Sequence, residues 1–201
     1  MSERNVSSRV DEQESHCLRV PSFHYGSGGL ISFESSVVQE LVVRLIVNGQ
    51  QVDTLTCSPW NVEELTYGRL YFNGIIRRAS DVTDMRIDID AGLIDVLISD
   101  TMGAASDSLL EERSVLSYVT PRWIIDNMAQ FEANSGLFRR TGGMHGAAIA
   151  DAGGFLARFD DVGRHNAMDK LVGWCLTNSV DAGDKVVLFS GRVPWGIIDR
   201  V

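Results

Sequence analysis

β-Branched and aliphatic residues dominate from Val38 to Val47, with Leu41, Val43, Leu45 and Val47 falling on one face of a two-residue period and Val42, Arg44 and Ile46 on the other. A period of two is the signature of a strand. Asn48-Gly49 follows, and Gln50–Thr56 continues in the same style. Asn-Gly tolerates the positive φ angles of a type I′ turn, so this stretch predicts a β-hairpin. Met85, Ile87 and Ile89 alternate with Arg86, Asp88 and Asp90, and Leu93–Ile98 returns after Ala91-Gly92, which predicts a second strand pair.

The period changes between and after these pairs. Asn61-Val62-Glu63-Glu64 opens a helix, with Asn61 placed to cap and Glu64 three residues on as in a capping box, and Asn73-Gly74 closes it. Leu65, Phe72 and Ile75 or Ile76 are its core-facing positions. Thr120-Pro121 opens another, with Ile124, Ile125, Met128 and Phe131 on one face and Gly136 closing it. Ala147–Ala150 and Phe155–Phe159 are short apolar strands. Ala167, Met168, Leu171, Val172, Cys175 and Leu176 make a helical stripe, and Val186–Phe189 a buried strand before a helix start at Pro194.

Two stretches lack a period. Residues 1–35 read as a flexible start, with Phe23–Phe33 a glycine-rich loop, and Asp100–Ser114 reads as a loop. The expected organisation is a flexible segment 1–35, a β-rich part 36–100 and an α/β part 115–201. A buried strand followed by a helix start implies more sheet beyond Val201, as in a truncated chain.

Composition narrows the function classes. At 201 residues with 44% hydrophobic and 22% charged content, the chain has ordinary globular proportions. No apolar run reaches the roughly 18 residues of a membrane span, and the polar N-terminus has no apolar signal core, so a cytoplasmic location is expected. A net charge of -9 argues against nucleic acid or anionic membranes as partners, while leaving room for a local basic pocket. Cys17, Cys57 and Cys175 are odd in number and widely spaced, which excludes a disulfide framework. Cys175 lies on the helical stripe as a small core residue. Cys57, just before a helix start, is the better reactive candidate.

The chemistry-bearing residues gather at three turns: Thr141–His145, Asp160–His165 and Ser190–Arg192. Glycines let backbone approach a ligand, helix N-termini offer free N–H groups to anions, and Arg164 and Arg192 can grip phosphate or carboxylate. His165 and Asp169 are four apart on one helix face, as are Asn166 and Lys170. The first pair either orients an imidazole for proton transfer or forms a helix-surface ion pair. Asp160 and Asp161 are either site acids or solvated carboxylates. His145 and His165 lack the paired spacing of a zinc site.

Thr141-Gly142-Gly143-Met144-His145 followed by Asp161-Val162-Gly163-Arg164-His165-Asn166-Ala167-Met168-Asp169-Lys170 resembles the paired signature of the FdhD-type formate dehydrogenase accessory sulfurtransferases. Glu40–Gly49, Ser58–Ile76 and Ser190-Gly191-Arg192 fall in the family's order, so the resemblance spans roughly residues 36–198. It implies an α/β (α+β) fold similar to the cytidine deaminases, a mixed sheet flanked by helices with a smaller β-rich N-terminal part. His145-Gly146-Ala147 lacks the deaminase glutamate, so no zinc is implied.

The resemblance also implies a homodimer, and partners in a cysteine desulfurase and formate dehydrogenase. Persulfide sulfur passes from the first to the molybdenum or tungsten bis-pterin guanine dinucleotide cofactor of the second. It places that cofactor, or a guanine nucleotide, near Gly142, Gly143, Asp161, Gly163, Arg164, Asn166, Lys170 and Arg192, with His145, His165 and Asp169 as chemical groups. The family's C-x-x-C loop falls at about Ser99–Ser114, where this chain has no cysteine. Sulfur transfer therefore falls to Cys57, or the chain is a cofactor-binding member without transferase activity, or a degraded copy.

Overall fold

The computed structural model describes residues 16–99 and 116–198. Strands β1 (Cys17–Gly26) and β2 (Gly29–Val38) form a separate antiparallel ribbon. Next come β3 (Leu41–Val47), β4 (Gln50–Cys57), helix α1 (Val62–Phe72), β5 (Val82–Asp88) and β6 (Leu93–Ile98). Helices α2 (Pro121–Ala133) and α3 (Gly136–Thr141) lead to β7 (His145–Asp151) and β8 (Gly154–Asp161). Helix α4 (Arg164–Thr177), β9 (Val186–Phe189) and the short α5 (Trp195–Ile198) follow.

The strands make three sheets: the β1–β2 ribbon, a mixed sheet in the order β4-β3-β6-β5, and an antiparallel sheet in the order β8-β7-β9. In the mixed sheet only β3 and β6 are parallel. The predicted hairpin turn is present, with Asn48 at φ 47° and Gly49 at φ 79°. The inward face of the mixed sheet, with Val43, Leu45, Leu55, Ile94 and Val96, packs on Leu65 and Leu70 of α1. The antiparallel sheet is covered on both sides. Ala147, Ile149 and Phe159 face Met168 and Leu171 of α4, while Ala148 and Ala150 face Phe131 and Met128 of α2. The mixed α+β architecture that the resemblance implies is thus present, and helices α1 and α4 join its two larger sheets.

Those two helices cross at very short range. A Cβ on Gly68 of α1 would lie 1.9 Å from the carbonyl oxygen of Asp169, and one on Gly173 of α4 would lie 1.9 Å from that of Glu64. Each helix thus presses its backbone into the notch left by the other's glycine. The crossing buries α4 on two sides, so Asn166, Asp169 and Lys170 are enclosed along with its apolar stripe.

Four expectations are corrected. The flexible segment predicted to reach residue 35, with its glycine-rich loop, is from Cys17 onward a ribbon of two strands; residues 1–15 lie outside the described part. The period was hidden because apolar residues occur on both faces. Asn61 does not cap α1 with its side chain: it takes a left-handed φ of 53°, and its amide donates to Glu64 Oε1 at 3.2 Å. Helix α2 begins as predicted, Thr120 accepting from the Trp123 N–H at 3.1 Å, but Ile124 and Ile125 are 44% and 63% exposed. Met128 and Phe131 face the core as predicted, joined by Trp123 in place of the two isoleucines. Asn134 ends α2, and Gly136 opens α3.

Candidate functional site

The antiparallel pairing of β7 with β8 sets His145 opposite Asp161 and Gly146 opposite Asp160. On its other side β7 pairs with β9, and the Gly146 N–H donates to Ser190 Oγ at 2.8 Å. The start of β7 and the ends of β8 and β9 therefore share one sheet edge. This is how turns 141–145, 160–165 and 190–192, far apart in sequence, reach one corner.

The floor of the corner is a buried polar network. Asp161 is fully buried; its Oδ2 accepts from the Lys170 ammonium at 2.7 Å and the Ser58 N–H at 3.0 Å. Its Oδ1 accepts from the Gly163 N–H at 2.8 Å and the Asn166 amide at 2.9 Å. Four donors on one carboxylate offset its loss of water. Asn166 also donates to the Thr56 carbonyl at 2.7 Å and accepts from Arg69 at 3.1 Å. Ser58 Oγ accepts from the Val162 N–H at 3.1 Å, and Trp60 Nε1 donates to the Asp160 carbonyl at 3.0 Å. Arg69 Nε stands 3.0 Å from Asp169 Oδ2, a Coulomb contact that is not aligned as a hydrogen bond.

These contacts redistribute the predicted roles. Asp161, Asn166 and Lys170, expected near a cofactor, are enclosed and committed to one another, and they bolt the β8–α4 turn to the β4–α1 connection. Asp169 is fully buried between the helices, its Oδ2 3.0 Å from Arg69 Nε. Asp160 and Asp161 are not solvated carboxylates. Asp160 is gripped by Arg158 through Nη2 at 2.7 Å and Nε at 3.1 Å. Arg158 also donates to Ser135 Oγ at 2.9 Å and stacks over Phe131.

What remains open to a ligand is the rim. Gly142, at φ 68°, and Gly143 are exposed, as is Arg192, while His145, Gly163, Arg164 and His165 are half-buried. Arg164 Nε is shut from water and has no hydrogen-bond partner among the described residues. Burial, then the neighbouring Arg164 charge, pushes the His145 pKa below its ordinary value; Asp161 pulls against this and Arg192 adds to it. His145 is therefore a neutral imidazole at neutral pH, beside two guanidiniums. A Cβ on Gly191 would lie 3.3 Å from His145 Nδ1, so the glycine leaves the ring edge room. Glycine turns, two arginines, a histidine and the N-terminus of α4 together favour an anion.

Cys57 does not suit a sulfur acceptor. It is fully buried, and burial together with the Asp161 carboxylate pushes its thiol up to about 12, against partial relief from Lys170 and Arg69. A thiolate is the nucleophile, so burial and the raised pKa weigh against Cys57 as an acceptor. Its alkylation in the native chain at pH 8 is expected to run about a thousandfold slower than in urea, measured by mass spectrometry. Labelling of Cys57 at the denatured rate would refute its assignment to the core. Burial also pushes Cys175 up to about 11, in keeping with a core-side position.

Residue patterns did not reveal Ser58, Trp60, Arg69 or Arg158. Ser58-Pro59-Trp60 had no motif value of its own; the only available signal was a buried-type Trp beside a small polar residue at a strand end. Among the described residues, no group of three His, Cys, Asp or Glu side chains is placed to hold a metal ion. An apolar cleft of about 410 Å³ between α1, α4 and β9 is lined by Tyr71, Met168, Leu171, Cys175 and Val187 with others, and shares no residue with the polar rim.

Comparison with known proteins bears on this corner. The family model described as the FdhD/NarQ family matches residues 98–201. Proteins named sulfur carrier protein FdhD from Staphylococcus aureus, strains Newman and MRSA252, are each 31% identical over 204 residues, covering 90% of this chain and 77% of the relative. A solved structure from Desulfotalea psychrophila, described as a formate dehydrogenase accessory protein, superposes with a TM-score of 0.74 at 22% identity. The match covers 92% of this chain and 78% of that one.

Proposed function

Because the chain belongs to the FdhD/NarQ family, we propose that it is an accessory protein for molybdenum- or tungsten-dependent formate dehydrogenase, and that it holds the anionic pterin guanine dinucleotide as cargo. The observation that carries the proposal is Arg164, whose Nε is buried without a hydrogen-bond partner beside His145, Arg192 and the start of α4. A phosphate there takes charge-assisted hydrogen bonds from the guanidiniums and from the turn's backbone. Gly142, Gly143 and Gly163 let it approach the chain. Asp161, Asn166 and Lys170 hold the turn in shape. The protein works in the cytoplasm and meets its client enzyme there; among the described residues no helix is long and apolar enough to cross a membrane.

GDP serves as the probe. It is expected to raise the melting temperature of the wild-type chain, and Arg164→Ala to weaken its affinity about 10- to 100-fold, the equivalent of one charge-assisted hydrogen bond of ~1.5–3 kcal/mol. Affinity is expected to rise on acidification. The anion favours the charged form of His145, whose pKa is depressed in the free protein, so binding takes up a proton and strengthens as pH falls through the ordinary histidine range. Unchanged GDP binding by Arg164→Ala would remove the basis of the proposal.

The sulfur-carrier relatives favour a second reading, in which the chain accepts persulfide sulfur from a cysteine desulfurase. Burial, which pushes the Cys57 and Cys175 thiols up to about 12 and about 11, weighs against either as the acceptor. A transfer assay with a cysteine desulfurase separates the readings. Sulfur on the native chain supports carriage, while GDP binding without sulfur uptake supports cargo holding alone.

A further inference from the structure

A tryptophan stands in water three residues past Arg192. Trp195 is 76% exposed, whereas the other three tryptophans, Trp60, Trp123 and Trp174, are buried or half-buried. Among the described residues it belongs to no core cluster and pairs with no other ring. An indole carries a large apolar face, and a flat ring laid over it recovers area that water now covers.

The chain on either side fixes where this ring stands. Before it, the Ser190 N–H donates to the Gly146 carbonyl at 3.1 Å, and a Cβ on Gly191 would reach 3.3 Å from His145 Nδ1. Arg192 is near enough for its charge to act on His145. After it, Ile197 is 1% exposed and shares a core cluster with Ala147 and Ala167, which lie close in sequence to His145 and Arg164. The Ile197 N–H donates to the Pro194 carbonyl at 2.8 Å. Helix α5 is thus pinned beside the corner by Ile197, and Trp195, two positions earlier, is turned out to solvent. Three peptide units span at most about 11 Å, so the backbone of Trp195 lies within that distance of Arg192. A nucleoside diphosphate bridges such a gap between its phosphates and its base.

We infer, resting on the Arg164 corner as a phosphate site, that Trp195 is the platform on which the base of a nucleoside diphosphate stacks while Arg164 and Arg192 hold its phosphates. Every base has a π face, so this platform separates a nucleotide from bare diphosphate without separating guanine from adenine. A protein partner is the poorer fit. Among the described residues of this segment only Val193 and Ile198 are also exposed and apolar, far short of the ~800 Å² per partner of a stable protein interface.

Calorimetric titration of the full chain with GDP, ADP and inorganic pyrophosphate tests this. Trp195→Ala is expected to weaken GDP and ADP alike, by about 5- to 150-fold, the range of one base stacked on an aromatic ring. Its affinity for pyrophosphate is expected to stay at the wild-type value, and Trp195→Phe to recover most of the nucleotide affinity. Tyr71→Ala, at an exposed ring in the apolar cleft away from the rim, is expected to change none of the three. GDP is also expected to quench the intrinsic fluorescence of the wild type and not that of Trp195→Phe. If Trp195→Ala binds GDP like the wild type, the platform is refuted while the phosphate corner stands. If it loses GDP and pyrophosphate equally, Trp195 props the corner and the stacking role is likewise refuted. A wild type that binds neither GDP nor pyrophosphate removes the corner itself, and the platform with it.

Discussion

Gly173→Ala is expected to abolish the native fold or to cost at least ~3 kcal/mol, the upper range for overpacking a close-packed interior. The added methyl would sit 1.9 Å from the Glu64 carbonyl oxygen, which is backbone and cannot rotate away. Relief requires α1 and α4 to separate, and that would break the contacts of both with their own sheets. Gly68→Ala meets the Asp169 carbonyl at the same 1.9 Å and is expected to behave alike. Gly136→Ala, with nothing within 4 Å of the new atom, is the control and should be near neutral. Urea unfolding by circular dichroism reads all three. A Gly173→Ala midpoint within error of wild type would show that the helices can part at little cost.

Asp161→Ala is expected to cost ~3–5 kcal/mol, the penalty for stripping one partner from a buried ion pair. It strands the Lys170 ammonium, fully buried, with the Asp160 carbonyl at 3.4 Å and the Trp60 ring at 5.4 Å as its remaining company. Lys170→Met is expected to cost less, because Asp161 keeps three donors from Ser58, Gly163 and Asn166. The order of the two variants in urea is the informative readout. If Lys170→Met were the more damaging, Asp161 would depend on its cation more than on its backbone donors. Both variants are expected to weaken GDP binding only through loss of the folded turn.

Much of the fold was legible because its signals are local. Asn48-Gly49 specifies its own hairpin, Thr120-Pro121 its own helix start, and the 160–170 signature its own strand–turn–helix. The convergence of the three turns was legible too, since strand–turn order brings them to one sheet edge. The roles within it were not legible. Asp161, Asn166, Asp169 and Lys170 read as ligand groups because a dense polar cluster on a helix looks the same whether it meets a substrate or a second helix. What decides is α1, through Gly68 and Arg69, and the connection before it, through Ser58, about a hundred residues earlier. The ribbon was missed for the converse reason: apolar residues on both faces erase the period of two.

The hydrogen bond from the Ser58 N–H to Asp161 closes a loop of 103 residues, and that from Asn166 to Thr56 one of 110. Contacts so distant along the chain repay their closure entropy late in folding, after the hairpins and helices have formed. The anion corner is therefore among the last parts to mature. A nascent chain still lacking α4 has neither Asn166 to bridge Thr56 and Asp161 nor Lys170 to pair with Asp161. On the proposed reading, anion binding at this corner requires a chain that has completed both of these closures.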